Sequence, residues 1–218
     1  MILKKIKVDM GLGIGGETNC YIIMDDITHE TIVIDPAGDV PVIVDMLNAL
    51  KAKVKYIILT HCHGDHIGGV EELKNLAGGK TMLHIFDAAN INDESVSLIY
   101  YIGLSQTTVN VDSRLNDEDI IHIGDIELAI IHTPGHTNGS ICIYCKEYGM
   151  LFSGDTVFKG SWGRTDLPTG SFEDIIKSIQ NKIMILPEET FIYPGHGKST
   201  IVKEEEIIYL NLRGKVGI

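Results

Sequence analysis

Thr60-His61-Cys62-His63-Gly64-Asp65-His66-Ile67-Gly68-Gly69 is the stretch on which the reading of this chain turns. Four groups able to bind a metal, His61, His63, Asp65 and His66, fall within six residues. The run Val54–Thr60 before them is nearly continuously apolar, as in a strand buried on both faces. Val70, Leu73 and Leu76 after them keep helical spacing. A strand end is a rigid platform, and the tight turn behind it can aim several side chains into one cavity. Imidazole and carboxylate in one cluster suit zinc, iron and manganese. A lone His-x-His is a weak signal, whereas His-x-His-x-Asp-His at a strand-to-helix turn is a strong one.

The same kind of place recurs three more times. His136 lies in His132-Thr133-Pro134-Gly135-His136-Thr137, after an expected strand Ile126–Ile131. Asp155 lies in Ser153-Gly154-Asp155-Thr156, after Met150–Phe152, and His196 in Tyr193-Pro194-Gly195-His196-Gly197, after Thr190–Tyr193. Each is a Gly-flanked loop at the C-terminal end of a strand, where α/β folds commonly build their sites. Five of the nine histidines belong to this set, which packing alone does not explain. The others read differently. His84 follows a strand and is a candidate outer partner of the site. His122 and His132 should hydrogen-bond locally within a hairpin, and His29 should be exposed in a polar turn. Alternation along the turn points the Cys62 thiol away from the ligands.

Around these loops the pattern is short strands and short helices. Cys20–Met24, Thr31–Ile34, Thr81–Ile85, the hairpin Ile120–Ile123 with Ile126–Ile131, and Ser140–Cys145 read as strands. Val40, Ile43, Val44, Leu47 and Leu50 mark an amphipathic helix. Phe172, Ile175, Ile176, Ile179 and Ile183 line another, opened by Ser171-x-x-Asp174, which resembles a capping box. Glu204–Glu206 suit the first turn of a terminal helix. Ile91–Asn116 shows no clear period and is expected to be irregular over the open face. The class is α/β (α+β) with mixed sheets, in a single domain over residues 1–218.

Composition narrows the function. The 218 residues carry 18 Lys+Arg against 30 Asp+Glu, a net charge of −12, without a basic cluster for a phosphate backbone. No apolar run reaches the ~18 residues of a membrane span. Residues 1–10 lack the apolar core of a signal peptide, so the expected compartment is cytoplasmic and the four cysteines are expected to be free thiols. Cys142 and Cys145 are three apart on a strand, hence on opposite faces and no metal half-site.

In this order the residues resemble the metallo-β-lactamase superfamily, from Thr18-Asn19-Cys20-Tyr21 and Ile34-Asp35-Pro36 to the Pro-Gly-His-Gly ending. The resemblance implies an αββα sandwich holding two divalent ions, zinc first, with iron or a mixed zinc/iron pair as alternatives. His61, His63 and His136 match the first metal position, Asp65, His66 and His196 the second, and Asp155 the bridging carboxylate. Asp155 and Asp65 are thereby the catalytic carboxylates, Asp65 also orienting a hydroxide. The segment Gly154–Leu167 looks most like compact glyoxalase II-type hydrolases, which implies a small-molecule acyl thioester (hydroxyacylglutathione type) as substrate, without nucleic acid or membrane as partner. Only 22 residues follow His196, so the C-terminal glutathione-binding helical domain of larger relatives is not expected. Lys159 and Arg164 are candidates to receive an anionic substrate group, with Phe158 and Trp162 walling the pocket. Thr60–His63 and Gly163-Arg164-Thr165-Asp166 also resemble persulfide dioxygenases, in which His61, His136 and Asp155 would hold one Fe(II). A lactonase or a non-catalytic metal-binding module ranks lower, and a homodimer is left open.

Overall fold

The computed structural model describes residues 1–9, 16–99 and 108–210, with side chains placed up to residue 206. Its first sheet takes the strands in chain order: β1 (Ile2–Val8), β2 (Thr18–Met24), β3 (Glu30–Ile34), β4 (Lys53–Ile58), β5 (Lys80–His84) and β6 (Ser113–Leu115). The first three pair antiparallel and the last three join in parallel, β3 to β4 to β5 to β6. The parallel joins require crossovers. α1 (Val40–Leu50) links β3 to β4, while α2 (Gly64–Ile67) and α3 (Val70–Ala77) link β4 to β5. Two short helices, α4 (Ile85–Ala88) and α5 (Glu94–Ser97), precede β6.

The second sheet begins with β7 (Ile120–Ile123), β8 (Ile126–His132), β9 (Ile141–Cys145) and β10 (Met150–Gly154), antiparallel neighbours in that order. A two-stranded ribbon, β11 (Val157–Phe158) with β12 (Ser161–Trp162), follows. Then α6 (Phe172–Ser178) runs into a π-helical turn at Ile179–Ile183. β13 (Phe191–Pro194) returns parallel to β10, and β14 (Thr200–Ile201) closes that edge before α7 (Val202–Leu210).

Strand alternation sorts the apolar residues into three layers. Tyr21, Ile23, Ile32, Ile34 and Ile58 from the first sheet meet Leu128, Ile130, Ile141, Ile143 and Phe152 from the second. Their intervening neighbours Cys20, Ile22, Val33 and Ile57 face outward onto Val40, Ile43 and Leu47 of α1 and Val70 and Leu73 of α3. On the other side Cys142, Tyr144 and Leu151 pack under Ile175, Ile176 and Ile179. One helical layer, two sheets and a second helical layer make the αββα sandwich. Cys142 and Cys145 fall in different layers, and all four cysteines are free and buried.

Several expectations change. β1 adds a strand that the sequence does not announce: Lys4, Lys5 and Lys7 mask an element whose alternate residues Ile6 and Val8 are buried. Ile91–Asn116 is less irregular than expected. Asp93 caps α5 through Ser95 N, and β6 is a paired strand, while 100–107 lie outside the described residues. His29 is half-buried rather than exposed, because its Nδ1 lies 3.2 Å from the Leu50 carbonyl that ends α1. Phe172 is 44% exposed because it is the first residue of α6, directly after the Ser171 cap. Among the described residues no helix is long and apolar enough to cross a membrane.

Candidate metal centre

The site forms where β4, β8, β10 and β13 end. Asp35 prepares the first of these ends. Its backbone is left-handed, with φ 51°, and its side chain is buried beside Thr60. Oδ1 accepts from Thr60 N at 2.8 Å and Oδ2 from Thr60 Oγ1 at 2.7 Å, so the chain leaves β4 at a fixed angle. α2 then turns His66 back beneath His61, with ring centroids 4.1 Å apart. The loop carrying His196 is held from β2: Asn19 Nδ2 donates to Pro194 O at 2.8 Å and Gly197 O at 3.1 Å, and Tyr21 Oη to Pro194 O at 2.7 Å. Thr18 Oγ1 donates to Asp65 O at 2.7 Å. At Gly195 a Cβ would lie 2.3 Å from Asp155 Oδ1, so only glycine admits the carboxylate there.

All seven expected ligand residues converge. Their ligand atoms form three overlapping groups, His61/His63/His136, His61/His66/Asp155 and Asp65/His66/His196, each within 4.8 Å. His63 Nδ1 and His136 Nε2 are 2.9 Å apart, and His66 Nε2 and His196 Nε2 3.2 Å. Asp155 reaches both sides, 3.4 Å from His66 Nε2 and 3.6 Å from both His136 Nε2 and His196 Nε2.

The ring nitrogens facing away explain the arrangement. Nδ1 of His66 donates to Asp35 Oδ2 at 2.9 Å, that of His136 to Arg164 O at 2.8 Å, and that of His196 to Glu17 O at 3.0 Å. Thr60 Oγ1 spends its proton on Asp35, so His61 Nδ1 donates to it at 3.1 Å. Each bond orients its ring so that Nε2 faces the shared space, where the neutral ring offers a lone pair to a cation. His61 Nε2 is buried with no hydrogen-bond partner. An orphaned imidazole nitrogen, and lone pairs pressed against one another, fit a divalent cation between them.

Electrostatics divides the cluster. Burial, and then the neighbouring imidazoles, push His61 well below its usual range; burial and His136 hold His63 down at about 3. Burial would also depress His66, but Asp155 and Asp35 override it and raise the group well above the usual histidine range. His196 is raised against its burial by Asp65 and Asp155. Asp155 stays far below the usual carboxylate range despite its burial, through His66, His196 and His136.

A cavity of about 460 Å³ opens onto His63, Asp65, His136, Asp155 and His196, with Leu98, Phe158, Leu167 and Arg164 as its other walls. Of the four residues expected to receive substrate, Phe158 and Arg164 face this cavity. Lys159 instead pairs with Glu204 at 3.0 Å, and Trp162 packs toward Phe172, with rings 6.0 Å apart. The Arg164 guanidinium is clasped by both oxygens of Asp166, at 2.8 and 2.7 Å. His84 is not part of the centre: it accepts from Phe86 N and stacks on His132 at 4.0 Å. His132 bonds Asn138 O, and His122 is exposed beside Glu127. Cys62 points into the helical layer under α1 and α3. The roles of Asn19 and of the buried Asp87 are not visible in the sequence, since their partners are far away along the chain.

The model of the metallo-beta-lactamase superfamily matches residues 13–196, and the chain belongs to that superfamily. An uncharacterized protein of Aquifex aeolicus is 36% identical over 188 residues, 86% of this chain and 88% of that protein. Hydroxyacylglutathione hydrolase GloC of Haemophilus influenzae is 32% identical over 200 residues, covering 87% and 90% of the two chains. Among solved structures, the BLEG-1 B3 metallo-beta-lactamase superposes with a TM-score of 0.86 at 31% identity, over 94% of this chain and 97% of that one. TTHA1623 in a di-iron-bound form gives 0.79 at 25% identity, over 93% and 96%.

Proposed function

We propose that this protein is a metal-dependent hydrolase of the glyoxalase II type, cleaving a small hydroxyacyl thioester at a centre for two divalent ions, zinc first among the candidates. One observation carries the reading. Every member of the Asp65/His66/His196 group is present beside the His61/His63/His136 group, and Asp155 lies between them. The likeness to GloC supports the thioester as substrate class.

Bound across these groups, two divalent ions would supply an activated water and a Lewis-acid contact to the substrate carbonyl. The chain's own contribution is positional and electrostatic. Asp65 Oδ2 lies 3.4 Å from His196 Nε2 with its side chain 24% exposed, placed to orient a water and take its proton. Burial opposes its ionisation, but the His196 hydrogen bond and His66 keep its pKa low, so it is an acceptor at neutral pH. Asp155 fixes His66, His136 and His196 around one carboxylate. Leu98, Phe158 and Leu167 offer an apolar wall for the thiol or acyl chain, and Arg164 stands at the rim for an anionic end.

The test is a paired assay on metal-analysed protein, measuring hydrolysis of a hydroxyacylglutathione and persulfide-dependent oxygen uptake. Thioester hydrolysis that Asp155→Ala abolishes is the expected result. Oxygen uptake with iron alone, without hydrolysis, would overturn the reading in favour of a dioxygenase.

A further inference from the structure

Asp87 is a fully buried carboxylate to which the mechanism assigns nothing. It sits in α4, directly after β5. Its Oδ2 accepts from Cys62 N at 2.9 Å and from Thr137 Oγ1 at 2.8 Å. Cys62 stands between His61 and His63, and Thr137 follows His136. A single oxygen therefore binds the chain neighbours of all three histidines of one group. The two bonds span 25 and 50 residues and tie a loop of the first sheet to a turn of the second.

The turn is locked on its other side as well. Thr137 N donates to Ser140 Oγ at 3.0 Å. A Cβ on Gly139 would lie 2.3 Å from Asp87 Oδ1 and 2.5 Å from Asp87 N, so the turn backbone rests directly on this residue. By contrast, Asp65 and His196 are held by Thr18, Glu17 and the Pro194–Gly197 backbone. None of the hydrogen bonds of Asp87 reaches that side.

We infer that Asp87 is a positioning residue that sets the spacing of His61, His63 and His136, and through it the affinity of that group alone for a metal ion. The inference rests on the proposed metal centre. Residues that orient metal ligands typically contribute about ten- to a hundredfold in affinity.

Zinc titration against a competing chelator tests this in two backgrounds. With His196→Ala, only the His61/His63/His136 group is intact, and Asp87→Asn should weaken zinc binding by about ten- to a hundredfold. With His61→Ala, leaving Asp65/His66/His196, the same change should leave affinity unaltered. Thr137→Val, which removes one arm without touching the carboxylate, should reproduce part of the loss, and Thr137→Ser should restore wild-type affinity. The thermal midpoint of the metal-free variants, followed alongside, separates positioning from packing. An equal loss in both backgrounds, or a lowered metal-free midpoint with zinc affinity unchanged, overturns the inference. Wild-type protein that binds no zinc overturns the metal centre, and the inference with it.

Discussion

His61, His63 and His136 differ from Asp65, His66 and His196 in nearly every physical respect. The first trio is buried throughout and holds only imidazoles, and burial and the neighbouring rings keep two of them, His61 and His63, neutral. The second includes a carboxylate, leaves Asp65 and His196 about one-quarter exposed, and has imidazoles driven toward the protonated state by Asp65, Asp155 and Asp35. Protons can take the place of a cation in the second trio, making ion pairs with its carboxylates. At His61 and His63 a proton is disfavoured by burial, so their lone pairs remain uncompensated unless a cation is bound. Two ligand groups a few ångströms apart thus differ in what the protein is without a metal.

The largest expected effect strikes both trios. Asp155→Ala removes a carboxylate that lies against imidazoles of both trios and should lower kcat/KM by at least about 10³-fold, the upper range for a single transition-state contact. Steady-state hydrolysis checks this. Next, Asp65→Asn should remove a proton acceptor while leaving the buried trio filled. A loss of about a hundredfold in kcat, with close to one metal retained by elemental analysis, would separate the two positions. Asn19→Ala should cost about 0.5–1.5 kcal/mol in unfolding free energy, because it removes a buried hydrogen bond to Pro194 O while Tyr21 Oη still donates to that carbonyl; metal loss should be confined to the His196 side. In metal-free protein, ¹⁵N shifts of the imidazoles should find His66 protonated above the usual histidine range and His63 neutral down to about pH 3. The smallest effect belongs to the rim. Arg164→Gln should raise KM for thioesters with a carboxylate at that end and leave kcat alone, since Asp166 already occupies much of the guanidinium.

Much of this was legible in the chain because it is local. Ligand spacing within Thr60–Gly69, glycines at strand ends, and period-two runs such as Ile141–Cys145 are all set within a few residues. Ser171 as cap of α6 follows from the same kind of signal, since its Oγ accepts from Asp174 N three residues on. What escaped depends on distant partners. Lys159 reads as a pocket cation until Glu204, 45 residues later, is folded against it. Asp87 lies in unremarkable sequence and Asn19 in a segment that carries the resemblance without showing what the side chain does; the weight of both comes from backbone groups 25 to 178 residues away. β1 is hard to read for a different reason: only Ile6 and Val8 of this edge strand are fully buried, and Lys4, Lys5 and Lys7 interrupt the apolar pattern.

The Asp155 carboxylate also bears on the order in which the molecule can be completed. His61, His63 and His66 follow β4 of the first sheet, whereas His136, Asp155 and His196 follow strands of the second. His66 and His196, 130 residues apart, face each other at 3.2 Å. Closing so long a stretch of chain is entropically slow, and it must precede the contact that rewards it. During synthesis, then, the centre cannot exist until the chain has passed His196 and the two sheets have docked. Ion capture becomes a late checkpoint of folding: it latches the seam between the two sheets, and metal release should follow the rate at which that seam reopens.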